Sequence, residues 1–252
     1  MQPNWPVDGS VQAWVTTRDG GVSLPPYDQL NLATHVGDVP EAVLQNRAIL
    51  RSALSLPSEP VWLKQVHGTT VIAVDELTVD SSVEADGSYT EQSGRVLAIL
   101  TADCLPILLA KSDGSGVMAL HAGWRGLADG IIAQGLHTAG WSPVAVCAWV
   151  GPGIGQMAFE VGGEVRDVFL QQQRALPTHF SASTRTSHWY ADLAGIALWQ
   201  LQQLGVAWLG GGHWCTARDQ TRFYSYRRQG VTGRMASLIW INQAENDGYP
   251  ID

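Results

Sequence analysis

The chain has 252 residues, of which 45% are hydrophobic and only 15% are charged. Mixed α and β architectures of ~250 residues often form one unit, so we expect a single domain over residues 1–252. The charged fraction lies well below the ~25% typical of globular proteins, which excludes an intrinsically disordered chain. Fifteen basic residues against 23 acidic ones give a net charge of -8, which argues against a nucleic-acid partner.

The cysteines and the apolar segments bear on the cellular compartment. Cys104, Cys147 and Cys215 form an odd and sparse set, whereas a secreted disulfide framework needs an even and dense one. The first six residues lack the basic and apolar regions of a signal peptide. The longest apolar stretch, residues 96–110, is interrupted by polar residues and a proline and is too short to span a bilayer. We therefore expect a soluble, cytoplasmic protein without a membrane partner.

The hydrophobic pattern predicts strands and helices from the N-terminus onward. Residues 11–17 alternate between apolar and polar positions, as a half-buried strand does, and residues 40–54 have helical spacing. Six short apolar runs that follow predict further strands. These runs are residues 60–66, 70–74, 96–100, 107–110, 117–120 and 144–150.

Further helices and a closing hairpin complete the predicted elements. Helical spacing of apolar residues predicts helices at residues 127–138, 164–174 and 192–204. Asp192 is suited to cap the start of the last helix, and Gly205 to end it. Residues 223–226 and 235–241 flank a glycine-containing turn, which predicts a hairpin. Because the order follows neither a strict βαβ pattern nor strands followed by helices, we expect an α+β fold with a mixed or mostly antiparallel sheet.

Several common active-site motifs are absent from the sequence. There is no phosphate-binding G-x-x-x-x-G-K-[ST] loop, no dinucleotide-binding G-x-G-x-x-G run and no G-x-S-x-G nucleophile elbow. The zinc protease motif H-E-x-x-H and the nucleobase deaminase signature are also missing. None of the seven histidines forms a His-x-His pair, which a multicopper oxidase normally needs for its trinuclear centre.

Three other segments place a metal-binding type of side chain at the end of an apolar run. These segments are WLKQVHG with His67, LTADCLP with Cys104 and HAGWRG with His121. Strand ends that lead into tight turns often display binding groups on a rigid framework. If the three side chains converge, they form a His₂Cys set, which leaves a fourth position open on zinc, as catalytic sites do.

Two other interpretations of the same residues stay open. A cysteine in an apolar strand is usually a small core residue, and scattered histidines are usually incidental. Alternatively, Cys104 is a nucleophile and His121 its general base, as in cysteine hydrolases. The three residues are too widely separated in the chain to form a local signature, so the residues alone do not separate these interpretations from a metal site.

Six motif blocks resemble the YfiH family. They are RDGGVSLPPYDQLNL, WLKQVHG, LTADCLP, HAGWRG, the GPGIG segment with FEVGGEV, and the closing CT, FYSYRR and TGRMASLIWI segments. The resemblance extends over residues 14–241. Members of this family carry several names: laccase-domain or multicopper polyphenol oxidase, peptidoglycan editing factor, and purine nucleoside phosphorylase.

The resemblance implies a fold, a metal site and an activity. The implied fold is a layered α/β/β/α sandwich with mixed, mostly antiparallel sheets, shared with CNF-type bacterial deamidating toxins. The implied metal ligands are His67, Cys104 and His121, with zinc as the ion, although copper has been proposed. The implied activity is phosphorolysis of adenosine, inosine and 5′-methylthioadenosine, with adenosine deamination as a second reaction. The other family names leave a cysteine amidase of peptidoglycan precursors and a copper-dependent polyphenol oxidase as alternatives.

Three further residues are candidates for the chemistry of phosphorolysis. Arg47, in the predicted helix 40–54, and Arg125, close to His121, are candidate phosphate ligands because a guanidinium matches phosphate oxygens. Arg47 can instead be a surface residue, and Arg125 can simply pack on Trp124. Asp103 is a candidate general acid for the departing purine, or else a residue that bonds the loop backbone. The two arginines of FYSYRR are expected to be structural or peripheral.

Overall fold

Thirteen strands and six α-helices make up the part of the chain that the computed structural model describes, residues 1–75 and 83–243. The strands are β1 (Val11–Val15), β2 (Val61–Trp62), β3 (Val71–Ala73), β4 (Gly87–Thr90), β5 (Leu97–Thr101), β6 (Leu105–Lys111), β7 (Val117–Ala122), β8 (Val146–Val150), β9 (Glu160–Gly162), β10 (Phe180–Ala182), β11 (His188–Ala191), β12 (Trp208–Gly211) and β13 (Met235–Ile241). The helices are α1 (Pro40–Ala53), α2 (Trp124–Asp129), α3 (Ile131–Ala139), α4 (Gly163–Gln171), α5 (Leu193–Gln203) and α6 (Tyr226–Gln229).

The strands form three sheets. The largest has six strands in the order β12-β8-β6-β7-β4-β3, the second has the order β1-β13-β5-β2, and a small one has the order β10-β11-β9. Within the described residues, seven of the ten strand pairings are antiparallel and three are parallel. The expected α+β fold with mixed, mostly antiparallel sheets is therefore confirmed.

The two large sheets stack face to face, and helices cover their outer faces. Successive side chains of a strand point to opposite faces, and β6 shows the consequence because it is buried on both. Leu108 and Ala110 join the apolar core between the sheets. Ile107 and Leu109 join the core beneath α2 to α5. The outer face of the four-stranded sheet packs against α1, where Leu50 contributes to a third core. The layers are thus α/β/β/α, as expected.

Most predicted elements occur close to their predicted positions. Helix α1 matches residues 40–54, and the predicted cap of α5 is confirmed because the Gly195 N–H donates to Asp192 Oδ1 at 2.9 Å. Gly205 follows that helix with φ of +82°, the left-handed conformation that ends helices. The run at residues 60–66 forms only the two-residue strand β2. The pattern missed short strands with weak signals: β4, β9, β10, β11 and β12.

Two predicted elements were wrong. The single helix at residues 127–138 is two helices, α2 and α3, because Gly130 between them has φ of +88° and ends the first helix. The predicted C-terminal hairpin does not form. The Ser225 hydroxyl accepts a hydrogen bond from the Arg228 N–H and starts helix α6, while β13 pairs with β1 and β5 in the middle of the four-stranded sheet.

No helix among residues 1–75 and 83–243 combines the length and the apolar character that a membrane crossing requires.

Candidate metal centre

His67, Cys104 and His121 meet in the folded chain. Their ligand atoms, one from each side chain, all lie within 4.8 Å of one another. The two imidazole rings stand almost perpendicular, at an angle of 74°, with their centroids 4.8 Å apart. His121 is buried, Cys104 is half-buried and His67 is exposed, so the cluster can be reached from one side.

Pairing between β6 and β7 brings Cys104 to His121. In this antiparallel pair Leu105 lies opposite Ala122 and Pro106 opposite His121. Cys104 comes immediately before β6, in the turn that follows the end of β5 at Thr101, and therefore lies beside the end of β7. The strand does end at this point, which is what allows neighbouring residues of the turn to face the same site.

A loop after β2 supplies the third ligand. His67 has φ of +63°, in the left-handed region that residues other than glycine rarely adopt. The carboxylate of Asp86, which is fully buried, holds this loop by accepting hydrogen bonds from three consecutive backbone amides. The donors are Val66 at 3.2 Å, His67 at 2.9 Å and Gly68 at 2.7 Å.

Asp86 also contacts the ring of His121. Its Oδ1 lies 2.7 Å from Nδ1 of that imidazole. This contact occupies one ring nitrogen and leaves Nε2 for the cluster. Sequence reasoning did not identify Asp86 as a functional residue, since a single acid before a glycine forms no motif with His67 and His121, both of which are distant in the sequence.

The electrostatics favour charge separation inside the cluster. Burial opposes a thiolate, but His121 and then His67 lower the pKa of Cys104 to about 6. Burial likewise opposes an imidazolium, but Cys104 and Asp86 raise the pKa of His121 to about 9. Burial opposes ionisation of Asp86 as well, yet the hydrogen bonds from His121 and the loop amides hold its pKa below the usual range. Without a metal, the pair is therefore thiolate and imidazolium at neutral pH.

The donor set and the space around it fit a metal ion. Two imidazole nitrogens and one thiolate are the ligand types that zinc accepts, and three protein ligands leave a fourth position open. Gly123 lies directly against the cluster: a β-carbon at this position would stand 3.1 Å from Cys104 Sγ and 3.2 Å from His67 Cδ2. The missing side chain leaves room for the two ligand side chains to close on an ion.

The cluster lies in a cavity of about 400 Å³. Besides the three cluster residues and apolar side chains, the cavity wall carries aromatic and basic groups. These are Phe159, Tyr226, His35, Arg227 and Arg234. A cavity of this size with a few convergent polar groups is a typical small-molecule site.

Two arginines supply the positive charge of the cavity. Nη1 of Arg234 donates to the carbonyl oxygens of Thr232 at 2.7 Å and Gly233 at 3.0 Å, while its Nε and Nη2 have no hydrogen-bond partner among the described residues. Nη1 of Arg227 donates to the Glu160 carbonyl at 2.8 Å, and the guanidinium lies over Phe159 at 5.1 Å. Arg227, expected to be structural or peripheral, thus lines the cavity.

The second arginine of the FYSYRR segment has a structural position. Nη1 and Nη2 of Arg228 donate to backbone carbonyls of Thr216, Ala217 and Phe223. These contacts fix the chain that enters helix α6. This placement agrees with the structural role expected from the sequence.

Asp103 lines the cavity next to Cys104, and its carboxylate is bound by a set of donors. Oδ1 accepts from the Thr216 hydroxyl at 2.6 Å, and Oδ2 accepts from the Ser225 hydroxyl at 3.0 Å and the Arg227 amide at 2.7 Å. Both carboxylate oxygens are thus occupied by donors of the protein itself. These contacts favour the backbone-bonding alternative over general-acid catalysis.

Arg47 and Arg125 do not line the cavity. Nε and Nη2 of Arg47 both donate to the Leu32 carbonyl, at 3.0 and 2.9 Å, and the guanidinium lies 4.1 Å from the centre of the Trp62 ring. Arg125 is exposed and stacks on Trp124 at 4.4 Å, the packing alternative that the sequence left open. Both contacts are structural uses of a guanidinium.

Comparison with known proteins assigns this chain to a family. A family model described as "Multi-copper polyphenol oxidoreductase laccase" matches residues 12–242. The chain is 45% identical over 241 residues to an Escherichia coli protein named purine nucleoside phosphorylase YfiH, covering 95% of this chain and 97% of that one. A Pseudomonas aeruginosa protein, also named a purine nucleoside phosphorylase, is 44% identical, with 96% and 98% covered. The chain therefore belongs to the YfiH family.

Solved structures agree with this assignment. A Neisseria meningitidis protein described as a DUF152 member superposes with a TM-score of 0.91 at 40% identity, covering 96% of this chain and 99% of that one. YlmD from Geobacillus stearothermophilus gives a TM-score of 0.85 at 30% identity, with 94% of each chain covered.

Proposed function

We propose that this protein is a metal-dependent purine nucleoside phosphorylase. It would convert adenosine, inosine or 5′-methylthioadenosine with phosphate into the free base and the corresponding ribose 1-phosphate. The observation that carries the proposal is the open His₂Cys cluster in a cavity that also contains Arg227 and Arg234. The names of the relatives from Escherichia coli and Pseudomonas aeruginosa support the same activity.

The arginines of the cavity wall are suited to hold phosphate. Arg234 has an unpaired Nε and Nη2 edge among the described residues, which can accept a phosphate in the bidentate manner. Desolvation and the nearby charges of Arg234 and Arg47 lower the pKa of His35, so this ring is neutral at pH 7 and can donate a hydrogen bond. We therefore assign the phosphate position to Arg234, with Arg227 and His35 beside it, rather than to Arg47 or Arg125.

Phosphorolysis then needs the nucleoside to be held with its C1′ atom facing the phosphate. A phosphate oxygen forms a bond to C1′ as the bond to the purine nitrogen breaks, and the purine leaves with the electron pair and takes up a proton. Phe159 and Tyr226 offer aromatic faces on which a purine can stack. A zinc ion held by His67, Cys104 and His121 would supply a Lewis acid to this cavity. Adenosine deamination is the second reaction we assign: water adds at C6 of the purine, the carbon that bears the amine, and the amine leaves as ammonia.

The direct test is product analysis with the zinc-loaded protein. Adenosine and phosphate should yield adenine and ribose 1-phosphate, and omission of phosphate should abolish adenine release. Removal of the metal by a chelator should stop the reaction, and zinc should restore it. If the fully loaded protein forms neither ribose 1-phosphate from adenosine or inosine nor 5-methylthioribose 1-phosphate from 5′-methylthioadenosine, the proposal is wrong.

A matched pair of variants tests where phosphate binds. Arg234→Gln should raise KM for phosphate about tenfold or more, because a charged hydrogen bond contributes roughly 1.5–3 kcal/mol. Arg47→Gln removes the same charge from a guanidinium that already bonds the Leu32 carbonyl, and should leave this KM within about twofold. The opposite pattern would assign phosphate to Arg47.

A second candidate function is hydrolysis of an amide in a peptidoglycan precursor, with a cysteine as the nucleophile. One observation favours it. Cys104, His121 and Asp86 are arranged as a nucleophile, a base and a carboxylate that orients the base. This function predicts that chelated protein keeps its activity and that a thiol-specific electrophile abolishes it. Loss of activity on chelation, with recovery on zinc addition, would decide against it.

Phenol oxidation, which the description of the family model names, has less support. A multicopper centre needs several ligand groups, but the His67–Cys104–His121 set is the one cluster of potential metal ligands found among residues 1–75 and 83–243. A metal assay that finds copper together with oxidation of a phenol would revive this alternative. Each of these chemistries needs a reduced Cys104, which suits the cytoplasm, where we place the protein.

A further inference from the structure

We infer that Asp86 is the positioning residue of the metal centre, and that its single carboxylate sets the geometry of both histidine ligands. Asp86 is fully buried, with an exposed fraction of 0%. Its two oxygens contact His121 Nδ1 and the backbone amides of Val66, His67 and Gly68. The Asp86 carboxylate therefore links the segment of His67 to the segment of His121, and these two segments are distant from each other in the sequence.

The sheet register explains how Asp86 reaches both segments. Strand β4 begins one residue after it and pairs with β7, so that Gly87 lies opposite Leu120 and Asp86 lies beside His121. The His121 amide donates to the Asp86 carbonyl at 2.7 Å, and the Asp86 amide donates to the Thr70 carbonyl at 2.9 Å. These backbone hydrogen bonds hold Asp86 between the two ligand segments, independently of its side-chain contacts.

The contact with His121 selects one form of the imidazole. An ionised carboxylate accepts a hydrogen bond, so the proton of the neutral ring lies on Nδ1 and the lone pair of Nε2 faces the cluster. A carboxylate in this position also fixes the plane of the ring and strengthens the nitrogen as a ligand. Without it, the ring can adopt the other tautomer, in which Nε2 carries the proton and cannot bind a metal.

The contacts with the loop act on His67 in a different way. This residue has a left-handed backbone conformation that is unfavourable for a side chain with a β-carbon. Three amide donors that converge on one carboxylate hold the loop in that conformation. Because the loop is fixed before the ion arrives, metal binding does not have to order it.

The inference rests on the metal centre of the proposed function and not on phosphorolysis. A metal titration reports on it whatever the substrate of the enzyme is. If the protein binds zinc but forms no ribose 1-phosphate, the proposed activity fails and the role of Asp86 stands. If the unaltered protein binds neither zinc nor cobalt, both are overturned.

The first experiment compares Asp86→Asn with Asp38→Asn. Asp38 serves as the control because its carboxylate accepts three hydrogen bonds, from Ser23, Asn31 and Val39, and none of these donors belongs to the cluster. Zinc affinity is measured by competition with a chromophoric chelator, and the fold of each metal-free variant by circular dichroism. Asp86→Asn should bind zinc about 10- to 100-fold more weakly, as expected when a ligand loses its supporting carboxylate. Asp38→Asn should bind zinc as the unaltered protein does.

The second experiment needs no variant and therefore does not depend on whether Asp86→Asn folds. The unaltered protein, labelled with ¹⁵N and loaded with ¹¹³Cd, is examined by NMR for coupling between the metal and the ring nitrogens. Coupling to Nε2 of His121, with a proton on Nδ1, is the expected result. Coupling to Nδ1 of His121 would overturn the inference, as would a folded Asp86→Asn variant with unchanged zinc affinity.

Discussion

A methyl group added at Gly123 tests the metal centre most directly. This residue precedes helix α2 and has φ of -65°, a conformation that alanine adopts without backbone strain. The new β-carbon would stand 3.1 Å from Cys104 Sγ and 3.2 Å from His67 Cδ2. Carbon atoms in favourable contact are about 3.5–4.0 Å apart. Both ligand side chains must therefore move by a few tenths of an ångström.

The size of the effect on metal binding follows from this displacement. Ligand distances in zinc sites hold to within about 0.2 Å, so the required shift exceeds the tolerance of the site. Overpacking by one methyl group costs roughly 1–3 kcal/mol. Each step of about 1.4 kcal/mol corresponds to about a tenfold change in an equilibrium constant. Gly123→Ala should therefore bind zinc about 5- to 150-fold more weakly.

Competition with a chromophoric chelator measures the affinity, and Gly9→Ala serves as the control. A β-carbon at Gly9 would meet no atom within 4 Å, so this variant should bind zinc like the unaltered protein. Alanine is also a poorer helix N-cap than glycine, which lowers the stability of the metal-free variant independently of zinc. The unfolding of both variants without metal is therefore recorded as well. A folded Gly123→Ala protein with unchanged zinc affinity would refute the placement of the ion between these ligands.

Three further predictions concern protons and stability. The pKa of Cys104 is about 6 and that of His121 about 9, so at pH 7.5 this pair holds one proton. Zinc binding should therefore release about one proton from the pair. Calorimetry in buffers of different ionisation enthalpy should show that this proton release rises below pH 6 and vanishes above pH 9. Asp103→Asn should lower the free energy of unfolding in urea by about 2 kcal/mol or more, since it disturbs three hydrogen bonds to a buried carboxylate. Lost turnover at full stability would instead support general-acid catalysis. Gly130→Ala should cost about 1–2 kcal/mol in the same assay because φ is +88°, and an unchanged midpoint would contradict this.

The three cluster residues could be proposed from the sequence because each ends an apolar run beside small residues. Their convergence could not be derived in that way, since they are widely spaced in the chain and form no spacing motif. The structure brings them together through strand register: β6 and β7 form an antiparallel pair that aligns Pro106 with His121. Register depends on which strands become neighbours, and a linear pattern does not contain that information.

The rest of the cavity was less accessible to sequence reasoning. Arg234 and Arg227 enter it from segments far downstream of Cys104, and both resemble ordinary basic residues near a turn. Arg47 and Arg125 were more conspicuous, but each guanidinium is engaged in local packing. Whether an arginine is available to a ligand depends on its tertiary contacts, which its neighbours in sequence do not determine.

The fold shows the same division between local and distant information. Helices α1 and α5 were predicted well because apolar spacing and caps are local signals. The predicted C-terminal hairpin failed because β13 finds its partners in β1 and β5, both of which belong to the first half of the chain. The short β4, which carries Asp86 to the site, has the sequence Gly-Ser-Tyr-Thr and gives almost no strand signal of its own.

The cluster is held together by contacts that involve no metal. Asp86 fixes the loop of His67 and the ring of His121, while the carboxylate of Asp103 fixes the turn that carries Cys104 to Thr216 and to helix α6. Both turns contain a left-handed residue, which persists only where the surroundings enforce it. A structural zinc site, in contrast, assembles only when the ion binds. The ion therefore serves the chemistry of the cavity rather than its shape, and chelation should leave the fold intact. The loss of stability on chelation should not exceed the free energy that zinc binding adds to the folded state, and the melting temperature should fall only by the corresponding amount.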